Sequence, residues 1–156
     1  MADFVLKYAD ARGQIHQQVA TAGSERGLTL RSPGRFQATA TRLVELWKDR
    51  PDPALRDEVV RAWMDAEAYQ LQTLQTVTRL AGGQRAGAEA SLTKLFWSEL
   101  DVRLHETALR LLGSEAELEG PWSKGFQFAL AGPIYAGTNE IQRNVVAERV
   151  LGLPRR

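Results

Sequence analysis

Apolar residues recur at intervals of three and four along almost the whole chain. Phe4, Tyr8, Ala11, Ile15, Val19 and Ala22 form the first stripe, the pattern of one face of an amphipathic helix. Gly27 and Ser32-Pro33-Gly34 interrupt it. Phe36, Ala40, Leu43 and Trp47 make a shorter second stripe, which ends at Asp49-Arg50-Pro51-Asp52-Pro53. That break also restarts a helix. Asp52 suits an N-cap, and Pro53 suits the first helical position, where a missing N–H costs nothing. Leu55, Val59, Trp63, Ala66, Leu74, Val77 and Leu80 predict a long third helix, closed by Gly82-Gly83. A fourth is predicted over 88–112, with Leu92, Phe96, Leu100, Leu104, Ala108 and Leu111 on one side. Residues 113–121 read as an acidic loop, 122–131 as a short helix and Gly132-Pro133 as a break. A last helix is expected from Thr138 or Asn139 to Leu151, before Gly152 and Pro154. No stretch reads as a strand. Long helices with short connections predict an all-α fold, an antiparallel helical bundle of about four to six helices. At 156 residues, a single domain over 1–156 is the expectation.

Composition narrows the function classes. The chain has 20 basic and 19 acidic residues, intermixed, for a net charge of +1. A nucleic-acid footprint needs a concentrated basic face, so no nucleic-acid partner is expected. No apolar run approaches the length of a membrane span, and no signal peptide is evident, so no membrane partner is expected. Cysteine is absent, which excludes disulfides, thiolate catalysis and Cys-ligated metals. A reducing, cytoplasmic setting is expected.

The richest segment for chemistry is Ile134-Tyr135-Ala136-Gly137-Thr138-Asn139, a tight loop feeding a helix. Gly137 permits a positive φ or the close approach of a ligand. Thr138 or Asn139 can cap the helix, and Asn139 with Gln142 would form a capping box. Glu140 lies in the first turn, where the helix dipole favours negative charge. Free N–H groups at such a start could bind an anion such as a pyrophosphate; a well-capped helix with no ligand is the plainer alternative.

The run from Gly137 through Thr-Asn-Glu-Ile-Gln-Arg-Asn-Val-Val-Ala-Glu-Arg-Val-Leu-Gly-Leu-Pro to Arg155 resembles the C-terminal signature of acyl-CoA dehydrogenases. Leu92-Thr93-Lys94-Leu95-Phe96-Trp97-Ser98-Glu99-Leu100 is similar to the start of that family's penultimate long helix. The resemblance implies FAD-dependent α,β-dehydrogenation of an acyl-CoA thioester. By analogy Gly137 and Tyr135 face the substrate, and Thr138, Asn139 and Glu140 lie along the FAD. Arg143 continues the match, either at a cofactor phosphate or as a solvated helix position. The resemblance also implies a homo-oligomer, or a heteromer with a related subunit, and an electron-transfer flavoprotein as electron acceptor.

Two departures shape the reading. Many family members carry their catalytic Glu just before the Gly-Thr, and Ala136 stands there. Other branches take the base from an earlier helix, as the Glu of a Glu-Arg pair. Ser24-Glu25-Arg26-Gly27 offers that pair, making Glu25 the candidate base and Arg26 a candidate CoA contact. Unaided, an adjacent Glu-Arg pair reads as solvated surface. The second departure is Arg110-Leu111-Leu112-Gly113-Ser114, which stands where the family often has Gln-x-x-Gly-Gly at the flavin. The family's N-terminal helical and middle β-domains have no counterpart in this sequence. The chain is therefore expected to act only within a larger subunit or complex, or else as a non-catalytic assembly domain. His105-Glu106 lacks the second His of a zinc-protease motif, because Leu109 occupies its place, and no metal site is expected. Trp47, Trp63, Trp97 and Trp122 read as core or interface packing.

Overall fold

A computed structural model describes residues 3–9, 15–21, 31–84 and 87–155, the first two segments as backbone only. Five α-helices carry the described fold: α1 (Pro33–Asp49), α2 (Arg56–Ala81), α3 (Glu89–Leu112), α4 (Pro121–Ala129) and α5 (Asn139–Arg149). The all-α character expected from residue 33 onward is what forms. The N-terminal segment differs. In place of the helix predicted over 4–22, β1 (Asp3–Ala9) and β2 (Ile15–Thr21) pair as an antiparallel hairpin, with Val5 opposite Val19. The reason lies in the arithmetic of the pattern. Four is an even number, so Phe4/Tyr8 and Ile15/Val19 satisfy the alternation of a strand as well as the face of a helix. Among the described residues no helix is long and apolar enough to cross a membrane.

The helical residues fall into two compact units. The first comprises Arg31–Gln70 and Phe96–Tyr135. Its core joins Phe36, Ala40 and Leu43 of α1, Val59, Ala62, Ala66 and Tyr69 of α2, Trp97, Leu100, Leu104 and Ala108 of α3, and Trp122 of α4. Each large side chain removed from water contributes roughly 1.5–3 kcal/mol. The buried line of α2 is rotated from the predicted one. Ala62 and Tyr69 are inside, whereas Trp63 is 45% exposed. Helical spacing from Leu55 and Val59 reaches 62, 66 and 69 more evenly than 63, and the size of Trp63 does not override that geometry. The Asp52 carboxylate accepts from the Ala54 N–H at 2.8 Å, as an N-cap should, and Pro53–Leu55 form a 3-10 turn into α2. Residues Gly113–Glu117, expected as loop, form another 3-10 turn after α3, with Gly113 at φ 58.

The second unit holds Met1–Leu30, Leu71–Leu95 and Ala136–Arg156. Within it α2 ends at Gly82-Gly83 as expected, Gly83 taking φ 83. Its helices bury Val77 and Leu80 together with an unusual share of polar groups: Thr73, Ser91, Thr93, Lys94, Asn139 and Gln142.

Candidate functional site

Helix α5 begins at a turn whose backbone is held in a sparsely populated conformation. Ala136 and Gly137 both have positive φ, 54° and 86°. For alanine that left-handed state costs about 1–2 kcal/mol, so something must hold it. Gln142 supplies the restraint: its buried amide donates to the Ala136 carbonyl at 2.9 Å. Glycine is required at 137 for a second reason. A Cβ there would stand 2.7 Å from Gln142 Nε2.

Thr138, not Asn139, is the N-cap. Its hydroxyl accepts from the Ile141 N–H, and its carbonyl accepts from the Gln142 N–H at 2.9 Å. The predicted pairing of Asn139 with Gln142 as a capping box therefore does not form; both side chains turn to other partners. Asn139 is buried and its Oδ1 accepts from the Lys94 ammonium at 2.6 Å. Lys94 is only 1% exposed on α3. A buried ammonium is tolerated when hydrogen bonds replace its hydration, and Asn139 provides one. Lys94 is not among the expected site residues, although its burial has a signal in the sequence. Lys94, Trp97, Asp101, Leu104 and Ala108 recur at helical spacing, so a lysine on that stripe has to be buried.

Glu140 is exposed, and its carboxylate bonds its own backbone N–H and the Thr138 hydroxyl. These bonds, assisted by the positive charges of Arg143 and Lys94, hold it below the usual glutamate range. With one amide of the first turn facing the Glu140 carboxylate and another facing Thr138, this helix start is already capped. The plain capped-helix reading describes it better than a free anion site. A depressed folded-state pKa adds stability that is complete above the unfolded glutamate value. That stability is lost as pH falls through the lower folded value. A carboxyl NMR titration is expected to place Glu140 below a free glutamate, and Thr138→Val to move it up. A Glu140 that titrates normally would contradict the bond to Thr138.

Tyr135 belongs to the first unit, where it is half-buried. Its ring lies 5.9 Å from that of Trp97, and the Arg31 guanidinium covers both rings, 5.2 Å from the Trp97 centroid and 5.3 Å from that of Tyr135. Arg31 also donates to the Tyr135 hydroxyl. Gly132 allows this close approach to α3. A Cβ there would meet Trp97 at 3.3 Å and the Ala129 carbonyl at 3.0 Å.

The family of acyl-CoA dehydrogenase C-terminal domains matches residues 12–151. This chain belongs to that family. Acyl-CoA dehydrogenase IpdE1 of Mycolicibacterium smegmatis is 36% identical over 146 residues, covering 88% of this chain and 36% of the relative. The chain thus spans about a third of the length of the curated relatives it matches. Two solved structures share the fold. One is the Tcur3481-Tcur3483 steroid ACAD G363A variant (TM-score 0.71, 18% identity, 99% of this chain, 50% of that one). The other is the ChsE4-ChsE5 complex of Mycobacterium tuberculosis (TM-score 0.68, 20% identity, 99% and 50%).

The dehydrogenase signature accordingly lies on a defined turn and helix. Glu25 and Arg26 lie outside the described residues. Arg110, at the altered flavin-contact position, is engaged by the Glu58 carboxylate of α2. Gly113 of the same segment keeps a positive φ and ends α3, so its retention has a backbone cause. Arg143 is exposed on α5 and its charge acts on Glu140. His105, set aside as a metal ligand by sequence, is a buried core residue. Its Nδ1 donates to the Asp101 carbonyl at 2.8 Å, its ring meets Trp122 edge-on, and Gly125 leaves room for it.

Proposed function

We propose that this chain is the C-terminal part of an FAD-dependent acyl-CoA dehydrogenase, acting within a larger subunit or complex. The observation that carries this reading is the Ala136-Gly137 turn. Its two left-handed residues are locked by Gln142 and open into a capped helix bearing the family signature. Strain of this kind is kept where a backbone must meet a ligand closely.

FAD fits this helix start through its hydroxyl and ring-edge groups. Beyond their bonds to one another, the Glu140 carboxylate and the Thr138 oxygen keep lone pairs that can accept from the cofactor. A phosphate matches less well, because Glu140 already places negative charge there. Bound FAD would supply the acceptor for the hydride that leaves the substrate's β carbon. In this reading Glu25 takes the α-proton onto its carboxylate, as a general base must for so weak an acid. Arg26 contacts the CoA portion, while Tyr135 and Gly137 border the acyl thioester. Thr138 and Glu140 hold the cofactor, and Asn139, whose side chain is engaged by Lys94, sets the helix start that carries them. The chain works as a homo-oligomer or with a related subunit in the cytoplasm, and passes electrons to an electron-transfer flavoprotein. It needs neither nucleic acid nor a membrane.

A second reading is favoured by two observations: Ala136 cannot accept a proton, and Glu58 neutralises Arg110. In it the chain is a non-catalytic assembly domain of a heteromeric dehydrogenase. One preparation separates the two. Purified from its native host with whatever it binds, the complex should absorb as a flavoprotein and bleach anaerobically on addition of acyl-CoA. A colourless assembly, by contrast, would leave only the structural role.

A further inference from the structure

We propose that Arg31 is a positioning residue, which fixes Tyr135, the residue that leads into the Ala136-Gly137 turn. This deepens the dehydrogenase reading and rests on it for its catalytic meaning. The tether itself rests on geometry alone. Arg31 is held at both ends. Its guanidinium lies over the rings of Trp97 and Tyr135 and donates to the Tyr135 hydroxyl. Its backbone carbonyl accepts from the Tyr69 hydroxyl at 2.8 Å. Tyr69 and Trp97 are buried core residues, so the anchor is rigid.

Tyr135 is restrained to match. Its N–H donates to the Ala131 carbonyl at 3.1 Å, beside the bond from the Ile134 N–H at 3.0 Å. Ring, hydroxyl and backbone are thus each fixed. Only arginine does what position 31 requires: a planar cation that stacks on aromatic faces while donating in its own plane. A lysine would supply charge without the planar fork.

The two tethered residues lie 104 positions apart. In sequence Tyr135 precedes Ala136 by one position. Joining them closes a long loop within their unit and holds in place the residue that precedes the signature turn. Misplacement of a reacting group by about 1 Å can cost about 10²-fold in rate. Arg31 would exert its effect on that term without touching substrate.

The test uses Arg31→Leu, Arg31→Lys and Tyr135→Phe. In the full chain, hydrogen exchange at the Ile134 and Tyr135 amides should accelerate in Arg31→Leu. In the assembled enzyme, Arg31→Leu should lower the rate of flavin reduction by acyl-CoA about 10²-fold, with flavin content and KM nearly unchanged. Arg31→Lys should fail to restore it, and Tyr135→Phe, which keeps the ring, should lose less. Unchanged exchange in Arg31→Leu would overturn the tether. Faster exchange with an unchanged rate would overturn its catalytic meaning. Should Arg31→Leu not fold, full activity in both Arg31→Lys and Tyr135→Phe would overturn the proposal. A wild-type complex that acyl-CoA does not reduce would remove the dehydrogenase reading instead, and exchange alone would then decide the tether.

Discussion

Glu25→Gln in the assembled enzyme is expected to leave flavin bound and to cut turnover by about 10²–10⁴-fold, the usual worth of a positioned general base. The expectation comes from elimination at the signature turn together with the family resemblance. Ala136 occupies the usual base position and has no group that can take a proton. Glu140, the nearest acid along the signature, bonds its own amide and Thr138 and is stabilised as a carboxylate. A base is wanted near the pH at which it works, and a carboxyl held low is poorly matched to removing a weakly acidic α-proton. Glu140→Gln should therefore weaken cofactor binding more than it slows chemistry. The measurement is anaerobic flavin reduction by acyl-CoA in the two variants, with flavin content read from the visible spectrum. Full turnover in Glu25→Gln would remove Glu25 as the base.

Trp97→Ala should lower stability by about 3–5 kcal/mol, the cost of emptying a buried indole site. At 1% exposure the indole has no solvent to fall back on. It packs against Phe36 and Tyr135, lies beneath Arg31 and fills the space that Gly132 leaves. Collapse cannot easily refill that space, because Gly132 offers no side chain to move in. For a chain of this size the melting midpoint should fall by roughly 10 °C. Trp97→Phe keeps an aromatic face for Arg31 and should lose less. Thermal unfolding followed by circular dichroism reads both, and an unmoved midpoint in Trp97→Ala would refute the packing described for it.

How much of this could be read from sequence depended on how many signals agreed. From Pro33 onward, spacing, caps and breakers point the same way, and α1 to α5 form close to their expected limits. At the N-terminus a single signal was available, apolar spacing of four, and it fits two periods at once. On α2 the mistake was to weigh size above angle. Trp63 looks like core but stands off the buried line that includes Ala62 and Tyr69. On α3 the omission was of the opposite kind. Lys94, Asp101 and His105 are polar and stand outside the expected apolar stripe, yet each is buried beside Trp97 and Leu104. The signature turn was legible as a turn, but its cap was divided between Thr138 and Asn139. Only the structure shows why Thr138 takes that role: Asn139 is committed to Lys94.

That commitment bears on how the turn fluctuates. A capped helix end on a protein surface ordinarily frays on its own, at little cost to the rest of the fold. Here the first residue of α5 supplies an acceptor to an ammonium buried on α3. Parting them would take a hydrogen bond from a charge in the interior, a costlier loss than that of a bond at the surface. Opening of the turn is thereby coupled to opening of the helices around it. Its amides should exchange with the core helices of their unit rather than with the loops, so that a ligand arriving there meets a surface already set.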